Sequence, residues 1–380
     1  MDFPRSSPGA ERERLFETRR IALEELLPLA GTTEGRVNRP LVEALGKHGI
    51  LGAIFPAELG GTASGPTSAT TLCLIREGLA QGCTEAETAF ALQGLGSYPI
   101  VLAGRDHVRS HLIPRVASGE AIAAFALTEP EGGSDAAHLG LKAKKVDGGY
   151  RLTGTKKWIS NAPDADVYTV FARTTPDAGA RGVTAFAIAG HSEGVGGESL
   201  DLLAPHAIGT LELDGVFVGD DHILGEVDKG FSVAMQTLDL FRSSVGAFAV
   251  GLAQAALDAA VAFAEERKSF GRPLRDFQAV SHQLAEMGAR TKAARLLVYD
   301  AAATYDEGDR VTKAAAIAKL YATETAQWVI DTALQIHGAQ GLERGHLLEL
   351  LYRDVRATRI YEGTSEIQRE IIARELYRHH

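Results

Sequence analysis

A carboxylate in a tight polar turn near the end of the chain is the first candidate for chemistry. Residues 361–368 read Tyr-Glu-Gly-Thr-Ser-Glu-Ile-Gln, so Glu362 stands directly before a glycine. Ser365 and Gln368 have the spacing of a capping box, which predicts that the turn leads into a helix whose N-terminus favours anions. A carboxylate held in such a turn could act as a general base, whereas the string alone also fits a solvated glutamate.

Two polar strings in the middle of the chain could bind a ligand. Residues 125–135 begin as an apolar strand and end in a loop with two glycines, whose backbone amides can approach a ligand closely. Thr128 and Ser134 add hydroxyls to this loop. Residues 156–161 (Lys-Lys-Trp-Ile-Ser-Asn) place Trp158, one of only two tryptophans, beside a hydroxyl at a strand end. A structural turn and a core tryptophan are the alternative interpretations.

Three zones of different periodicity must position these residues. Apolar residues recur every three to four positions from about Glu11 to Gly119, which predicts helices. The period falls to two from about Ala121 to Val227, which predicts short strands in an antiparallel barrel or sandwich. Long Ala/Leu-rich patterns then predict a bundle of helices over 231–268, 276–307, 312–337, 347–361 and from 365. The predicted domains are an N-terminal α-helical domain (1–120), a middle β-barrel domain (121–228) and a C-terminal helical bundle (229–380).

Composition narrows the classes of function. The 380 residues suggest two or three domains, and 39 Lys+Arg against 49 Asp+Glu give a net charge of −10, which disfavours a nucleic-acid or anionic-membrane partner. Residues 1–20 lack the apolar core of a signal peptide, so a cytoplasmic location is predicted. The most apolar stretch, 245–257, is interrupted by two glycines and a glutamine, so no membrane span is predicted. Cys73 and Cys83 have neither zinc-site spacing nor the number for a disulfide framework, and are predicted to be buried or partly buried thiols.

Other known motifs are absent or ambiguous. No GxGxxG occurs in a βαβ unit, and neither the P-loop nor HExxH occurs. His107 and His111 lack a third metal ligand nearby and are predicted to be solvated, so no metal site is expected. Residues 190–194 fit the GxSxG nucleophile elbow around Ser192, but the glycine-rich residues 195–199 are poor helix formers. A serine thioesterase is therefore a remote alternative.

Taken together, the strings match a known family in type and order. They are Thr-Glu-Pro-x-x-Gly-Ser-Asp at 128–135, Lys-Lys-Trp-Ile-Ser at 156–160, Arg-Lys-Ser-Phe-Gly at 267–271, Gln-Ile-His-Gly-Ala-Gln-Gly at 335–341 and the turn at 361–368. A helical, then β, then helical chain with these strings resembles the acyl-CoA dehydrogenase family. The resemblance covers nearly the whole chain and is weakest near the N-terminus.

The resemblance implies a mostly α, α+β fold and an FAD enzyme, usually a homotetramer built as a dimer of dimers. It implies that one set of residues lines the isoalloxazine ring: Phe125, Leu127, Thr128, Gly133, Ser134, Trp158, Ile159 and Ser160. A neighbouring subunit would lend a second set to the FAD diphosphate and adenosine: Arg267, Phe270, Gln278, Gln335, Ile336, Gly338 and Ala339. Thr364, Ser365 and Glu366 would close the flavin site beside the base, and Ser134, Asp239, Arg242 and Gly363 would contact the thioester.

By the same resemblance, Glu362 is the base that removes the α-proton of an acyl thioester while a hydride leaves the β-carbon for flavin N5, giving a trans-2-enoyl thioester. The backbone N–H of Glu362 and a ribityl hydroxyl would stabilise the enolate oxygen, and burial is expected to raise the pKa of Glu362. Some branches place the base immediately before the arginine that here is Arg242. Phe241 stands at that position, so the arrangement resembles the short- and medium-chain types.

Three residues depart from the family pattern. Ala339 replaces a common glycine, His138 stands at a usually small position, and Ser160 replaces the more frequent threonine. The alternatives to an acyl-CoA dehydrogenase are an oxidase that uses oxygen, an enzyme for carrier-protein-bound acyl thioesters, and a catalytically silent flavoprotein. The expected electron acceptor is an electron-transferring flavoprotein.

Overall fold

The computed structural model describes residues 9–31, 33 and 35–378. In this part of the chain helices precede and follow a sheet region, and 58% of the residues are helical. Five α-helices come before the sheet: α1 (Gly9–Ile21), α2 (Arg39–Lys47), α3 (Ala69–Ala80), α4 (Thr84–Ala103) and α5 (Asp106–Ala117). Five follow it: α6 (Gly230–Glu266), α7 (Gln278–Asp306), α8 (Thr312–His337), α9 (Leu347–Thr358) and α10 (Ser365–Tyr377). This confirms the predicted fold class.

The chain forms two compact units that do not follow its linear order. One unit combines the described part of 1–27 with 68–87 and 239–380, and the other combines 28–67 with 88–238. We call them the helical unit and the sheet unit. The domain boundaries at residues 120 and 228 stay a prediction.

Close helix packing explains the glycines of α6 within the helical unit. A Cβ at Gly246 would lie 2.7 Å from Cγ2 of Val298 on α7, and one at Gly251 would lie 2.5 Å from Cβ of Ala80 on α3. The two glycines therefore allow neighbouring helices to pack closely. The sequence analysis had interpreted them only as breaks in an apolar stretch. In the same unit, α3 packs against α1 and α7, while α8 packs against α7, α9 and α10.

The helix ends differ from the predicted ends mainly before the candidate base. Helix α8 has the predicted bounds, but α9 ends at Thr358 and not at Tyr361. The residues that follow include Glu362 and Gly363 with φ of 51° and 92°, values that end an α-helix. The early end of α9 leaves a turn in which Glu362 lies.

The described residues of the sheet unit form eight strands. They are β1 (Ala123–Ala126), β2 (Lys142–Val146), β3 (Gly149–Ser160), β4 (Val167–Arg173), β5 (Val183–Ala189), β6 (Val195–Gly196), β7 (Ile208–Gly219) and β8 (Ile223–Leu224). The order is β6-β7-β3-β2-β4-β5-β8, with β1 on β4. Most pairs are antiparallel as predicted, but β1 and β2 pair with β4 in parallel. The amide of Gln93 on α4 fixes β1, because its Oε1 accepts from the Ala123 amide at 2.8 Å.

One described helix, α6, is long and apolar enough to cross a membrane by length and composition alone. However, 67% of its most apolar window is buried inside the protein, as in the core helix of a folded domain. Cys73 and Cys83 are free and buried, as predicted. Burial raises the pKa of the Cys73 thiol to about 12.

Candidate active site

Glu362 lies in a turn between α9 and α10 whose backbone is held by side chains. The residue has a φ of 51°, which is uncommon for a residue with a Cβ. The amide Nε2 of Gln368 donates to the carbonyl oxygens of Gly363 at 2.9 Å and Glu362 at 3.3 Å. The predicted capping box is wrong in its residues. Thr364 is the N-cap, since its hydroxyl accepts from the Ile367 amide at 3.3 Å.

Two further contacts fix this turn. Lys319 is fully buried on α8, and its Nζ donates to the Gly363 carbonyl at 2.7 Å. Ser365 is buried and donates from Oγ to Oε1 of Glu324 at 2.6 Å. Strain at Glu362 is thus maintained by several independent contacts, which is typical of functional turns.

The carboxylate of Glu362 is partly buried among cations. Its Oε2 has no contact with solvent and no hydrogen-bond partner among the described residues. Burial raises the pKa of Glu362, whereas the positive charges of Arg76, Arg242 and Lys319 oppose the rise. A raised pKa brings a carboxylate towards the range in which a general base works best.

Other buried polar atoms around this turn also lack a partner among the described residues. They are Oε2 of Glu87, Nε of Arg242, Oδ2 of Asp354 and Oε1 of Gln368. Buried polar atoms in folded proteins almost always have a partner, in the protein or in bound water or ligand. Their number beside one carboxylate indicates a place where a polar ligand binds.

The predicted thioester contacts on α6 lie close to the base. Arg242 is 6% exposed, and its Nη1 donates to Oδ1 of Asp239 at 2.9 Å. Burial raises the pKa of Asp239. Phe241, between them in sequence, is 1% exposed and carries no ionisable group, so a base cannot come from that position.

Trp158, in the sheet unit, is the most unusual of the predicted flavin residues. It has a φ of 56° at an irregularity in the pairing of β3 with β7, between Lys157 and Ile159. Despite its size, its side chain is 45% exposed, while Ile159 is buried. Bulges re-aim side chains and are frequent next to active sites.

A buried ion pair joins the two predicted flavin strings. Lys156 is fully buried, and its Nζ donates to Oε1 of Glu129 at 2.7 Å and to the Leu127 carbonyl at 3.0 Å. The Lys157 amide also donates to the Thr128 carbonyl at 3.0 Å. Burial lowers the pKa of Lys156 to about 8. These contacts bring together segments 125–135 and 156–161, which the sequence analysis found separately.

The hydroxyls predicted to meet the flavin differ in their surroundings. Ser160 Oγ is hydrogen-bonded to Nε2 of His206 at 2.8 Å, a partner not found from the sequence. Burial lowers the pKa of His206 to about 4, so the imidazole is neutral at pH 7. Ser134 is exposed in its loop, Thr128 is partly buried, and His138 forms a surface ion pair with Asp135 at 2.7 Å.

The residues predicted to serve a neighbouring subunit lie on exposed surfaces of the helical unit. Strands β9 (Lys268–Ser269) and β10 (Arg272–Pro273) form a hairpin, and Phe270 at its tip is 94% exposed with a φ of 50°. Arg267 and Gln278, on either side of the hairpin, are exposed as well.

A second part of that set lies at the end of α8. Gln335, Gly338 and Ala339 are exposed, and Ile336 is partly buried. His337 among them is buried and stacks on Phe263, with ring centroids 4.2 Å apart.

Two remaining sequence hypotheses are decided by the structure, the remote alternative at Ser192 and the surroundings of His107. Ser192 follows β5 in a turn that leads to the short strand β6 and not to a helix, so it is not in a nucleophile elbow. His107 does have possible co-ligands nearby, which the sequence analysis did not find. Asp221 accepts from His107 at 3.2 Å and is bonded to His222 at 2.9 Å. These hydrogen bonds at the protein surface explain why His107, Asp221 and His222 lie close together.

Comparison with known families decides the class of this arrangement. Sequence profiles for the acyl-CoA dehydrogenase N-terminal, middle and C-terminal domains match residues 10–120, 124–216 and 228–377. The chain belongs to the acyl-CoA dehydrogenase family. It is a flavin-dependent oxidoreductase of acyl-CoA thioesters with FAD as its cofactor, as the resemblance implied.

Three relatives match this chain over most of its length. The "3-(aryl)acrylate reductase" of Clostridium sporogenes is 38% identical over 94% of this chain and 96% of its own. The "cyclohexane-1-carbonyl-CoA dehydrogenase" of Geobacter metallireducens is 34% identical over 94% and 95%. The "caffeyl-CoA reductase-Etf complex subunit CarC" of Acetobacterium woodii is 36% identical over 89% and 90%.

Solved structures agree with this assignment. Butyryl-CoA dehydrogenase from Megasphaera elsdenii is 34% identical and superposes with a TM-score of 0.93, covering 100% of both chains. The structure titled "PigA with FAD and proline" is 25% identical, with the same TM-score and coverage.

Sequence analysis of this acyl-CoA dehydrogenase missed three charged residues beside the base. Arg76, Glu87 and Lys319 are each at most 2% exposed. A signal did exist, since Arg76 interrupts the apolar face of a helix between Ile75 and Leu79. Charges at such positions are rarely fully buried unless paired. The sequence does not show their partners, which lie on other helices.

Proposed function

We propose that Glu362 is the catalytic base that removes the α-proton of the acyl-CoA substrate. The observation that carries this proposal is its unpartnered, solvent-free Oε2 on a turn fixed by Lys319 and Gln368. A base needs a free oxygen to accept the proton and a fixed position from which to accept it. Burial raises the pKa of Glu362, which strengthens it as a base.

Charge that develops on the thioester oxygen needs hydrogen-bond donors. The backbone N–H of Glu362 is the proposed donor from this chain, and the contacts that fix the turn also fix this N–H. Arg242, buried and near Glu362, adds a positive charge that favours the anionic state of the substrate. FAD, when bound, takes up the hydrogen and the two electrons lost from the β-carbon.

The flavin ring is held by the two joined strings of the sheet unit. Trp158 supplies an exposed aromatic face whose strained backbone supports a role in binding. The Thr128 and Ser160 hydroxyls bind the polar edge of the ring, since a hydroxyl can both donate and accept, and Ser160 can form a further hydrogen bond besides the one with His206. Phe125, Leu127, Gly133, Ser134 and Ile159 complete this part of the site.

The enzyme works as a homotetramer in which a neighbouring subunit contacts the FAD diphosphate and adenosine. Support comes from Phe270, which is 94% exposed at a hairpin tip, since aromatic residues are enriched in interfaces between subunits. Arg267 and Gln278 beside it offer polar groups for the diphosphate, together with Gln335, Ile336, Gly338 and Ala339 at the end of α8. The proposed location of the enzyme is the cytoplasm.

Phe270→Ser is expected to lower FAD affinity more than about tenfold, because a buried aromatic contact contributes about 2 kcal/mol or more to an interface. Light scattering and the ratio of FAD to protein after gel filtration measure the effect. Phe217→Ser is the matched control, since Phe217 is 49% exposed on β7 in the sheet unit. An unchanged mass and an unchanged FAD content in Phe270→Ser contradict the shared site.

The electron partner is an electron-transferring flavoprotein, and the net direction is dehydrogenation. The name of the Acetobacterium relative, which includes an Etf complex, supports the partner. Reductases among the relatives make the reverse direction the second candidate. The same site chemistry serves both directions, because a base that takes an α-proton can return it.

Anaerobic titration of the FAD-loaded protein with straight, branched, cyclic and aryl acyl-CoAs tests the function. Bleaching of the oxidised-flavin absorbance by one of them, with formation of the enoyl-CoA, is expected. Subsequent reoxidation by enoyl-CoA measures the reverse direction. Oxygen uptake as fast as electron transfer to an electron-transferring flavoprotein indicates an oxidase. Flavin bleaching only by acyl thioesters bound to a carrier protein indicates an enzyme for those substrates. FAD that no thioester bleaches overturns the proposal.

A further inference from the structure

A buried ion pair lies beside the proposed base in the helical unit. Arg76 on α3 is 2% exposed and Glu87 on α4 is fully buried. The Nε of Arg76 donates to Oε1 of Glu87, and its Nη1 donates to the hydroxyl of Ser244 at 2.8 Å. The guanidinium also lies 5.8 Å from the centre of the Phe248 ring. The pair is thus held rigidly by three helices.

Stability alone is a weak explanation for such a pair. Removing two charges from water costs several kcal/mol per ion, and apolar residues of similar volume often stabilise a core as well or better. The pair also leaves Oε2 of Glu87 without a partner among the described residues. A buried carboxylate that is half satisfied is therefore retained for a reason other than packing.

The position of the pair supplies that reason. Arg76 interacts electrostatically with both Glu87 and Glu362, and the two carboxylates also interact with each other. The other charges near Glu362 are Arg242 on α6 and Lys319 on α8. Arg242 has its own carboxylate partner in Asp239, and Lys319 is bonded to a carbonyl. Other ionisable groups that interact with this cluster are Asp354 on α9 and Tyr361 in the turn after α9. Cys73 on α3 interacts with Arg76, and Glu324 and Glu366 interact with Lys319.

We propose that Arg76 and Glu87 form a positioning pair that sets the charge state of Glu362. Arg76 favours the carboxylate form of the base, and Glu87 opposes Arg76 so that the base can still be protonated in turnover. This inference rests on the proposed function of Glu362. It assigns to the pair a role in proton transfer without contact with the substrate.

The sign of each charge leads to opposite effects in two variants. The base works as a carboxylate, so flavin reduction slows as the pH falls through its apparent pKa. This fall in rate at low pH is the acid limb of the pH profile. Arg76→Met removes a positive charge, so the acid limb is expected to move to higher pH by roughly one unit, as it does when a carboxylate loses a nearby opposite charge. Burial raises the pKa of Glu87 to about 7, so Glu87→Gln removes a negative charge that is present above this pKa and is expected to move the limb down.

The experiment is a pH profile of the first-order rate of flavin reduction at saturating acyl-CoA, measured by anaerobic stopped flow. Arg76→Lys keeps the charge and is expected to leave the limb close to its wild-type position. Arg295→Met is the matched control. Arg295 forms another buried pair, with Glu77 at 2.9 Å, and is not among the charges that act on Glu362.

Infrared difference spectra give a second measurement that does not depend on turnover. The protonated-carboxyl band that disappears in Glu362→Gln titrates with pH in the FAD-loaded enzyme without substrate. Its midpoint is expected to move up in Arg76→Met and down in Glu87→Gln. If Arg76→Met does not fold, Glu87→Gln decides the question alone.

The outcomes separate this inference from the proposed function. A limb that is unmoved in both charge variants, or that moves equally in Arg295→Met, overturns the role of the pair while Glu362 stays the base. An acid limb that persists in the residual activity of Glu362→Gln overturns the proposed base itself, and the inference with it. Opposite shifts in the two variants, with Arg76→Lys and Arg295→Met unmoved, support the pair.

Discussion

In the Glu362→Gln variant, reduction of the flavin by acyl-CoA is expected to be at least about 100-fold slower than in the wild type, because a positioned base contributes roughly 10²–10⁴ to the rate. The variant is expected to keep FAD bound. Glutamine keeps the size of the side chain but cannot take a proton. The turn is expected to survive, since the hydrogen bonds from Gln368 and Lys319 go to backbone carbonyls and not to the Glu362 carboxylate. Anaerobic stopped-flow reduction measures the effect.

The control for this experiment is Glu370→Gln. Glu370 is an exposed carboxylate on α10, eight residues from the base. Its loss changes the net charge by the same amount and is expected to leave reduction unchanged. The decisive comparison is therefore between the two glutamine variants. Equal rates in Glu362→Gln and the wild type remove Glu362 from the role of base.

Local patterns in the sequence predicted the parts of the site that depend on nearby residues. The turn at 361–368 and the string at 156–161 could be recognised because glycine, hydroxyl and aromatic residues stand at fixed short spacings. Even there the sequence left details open. Ser365 was predicted to begin the cap, but its hydroxyl instead binds Glu324 on α8, which is 41 residues away, and Thr364 takes the cap.

Contacts between distant segments could not be predicted in the same way. Lys319 reaches the carbonyl of Gly363 from 44 residues away, and Arg76 meets Ser244 across 168 residues. Such pairs depend on how helices pack, and no local spacing records this. The parallel pairing of β1 with β4 was missed for the same reason, because an apolar period of two does not distinguish strand directions.

Gly363→Ala is the second variant for which we expect a large effect, a loss of roughly 10- to 100-fold in the rate of flavin reduction. A residue with a Cβ at a φ of 92° is strained by about 1–3 kcal/mol. The new Cβ would also lie 2.5 Å from Nε2 of Gln368, the atom that holds the carbonyls of Glu362 and Gly363. The Gln368 amide therefore has to shift, which weakens the two contacts that hold the turn. Glu362 then loses its fixed position, and a displacement of about 1 Å can cost about 10²-fold.

Gly288→Ala is the matched control for this substitution, because Gly288 is helical on α7 and a Cβ there would meet no atom within 4 Å. It is expected to be neutral or to stabilise the helix by roughly 0.5–1 kcal/mol. Gln368→Ala separates the two causes in Gly363→Ala. The double variant lacks both the clash and the two carbonyl contacts of Gln368, so its rate is compared with that of Gln368→Ala alone, and the difference between these two rates measures the backbone strain. Wild-type rates in Gly363→Ala would mean that the turn does not position the base, since its two carbonyl contacts could then shift without consequence for proton removal.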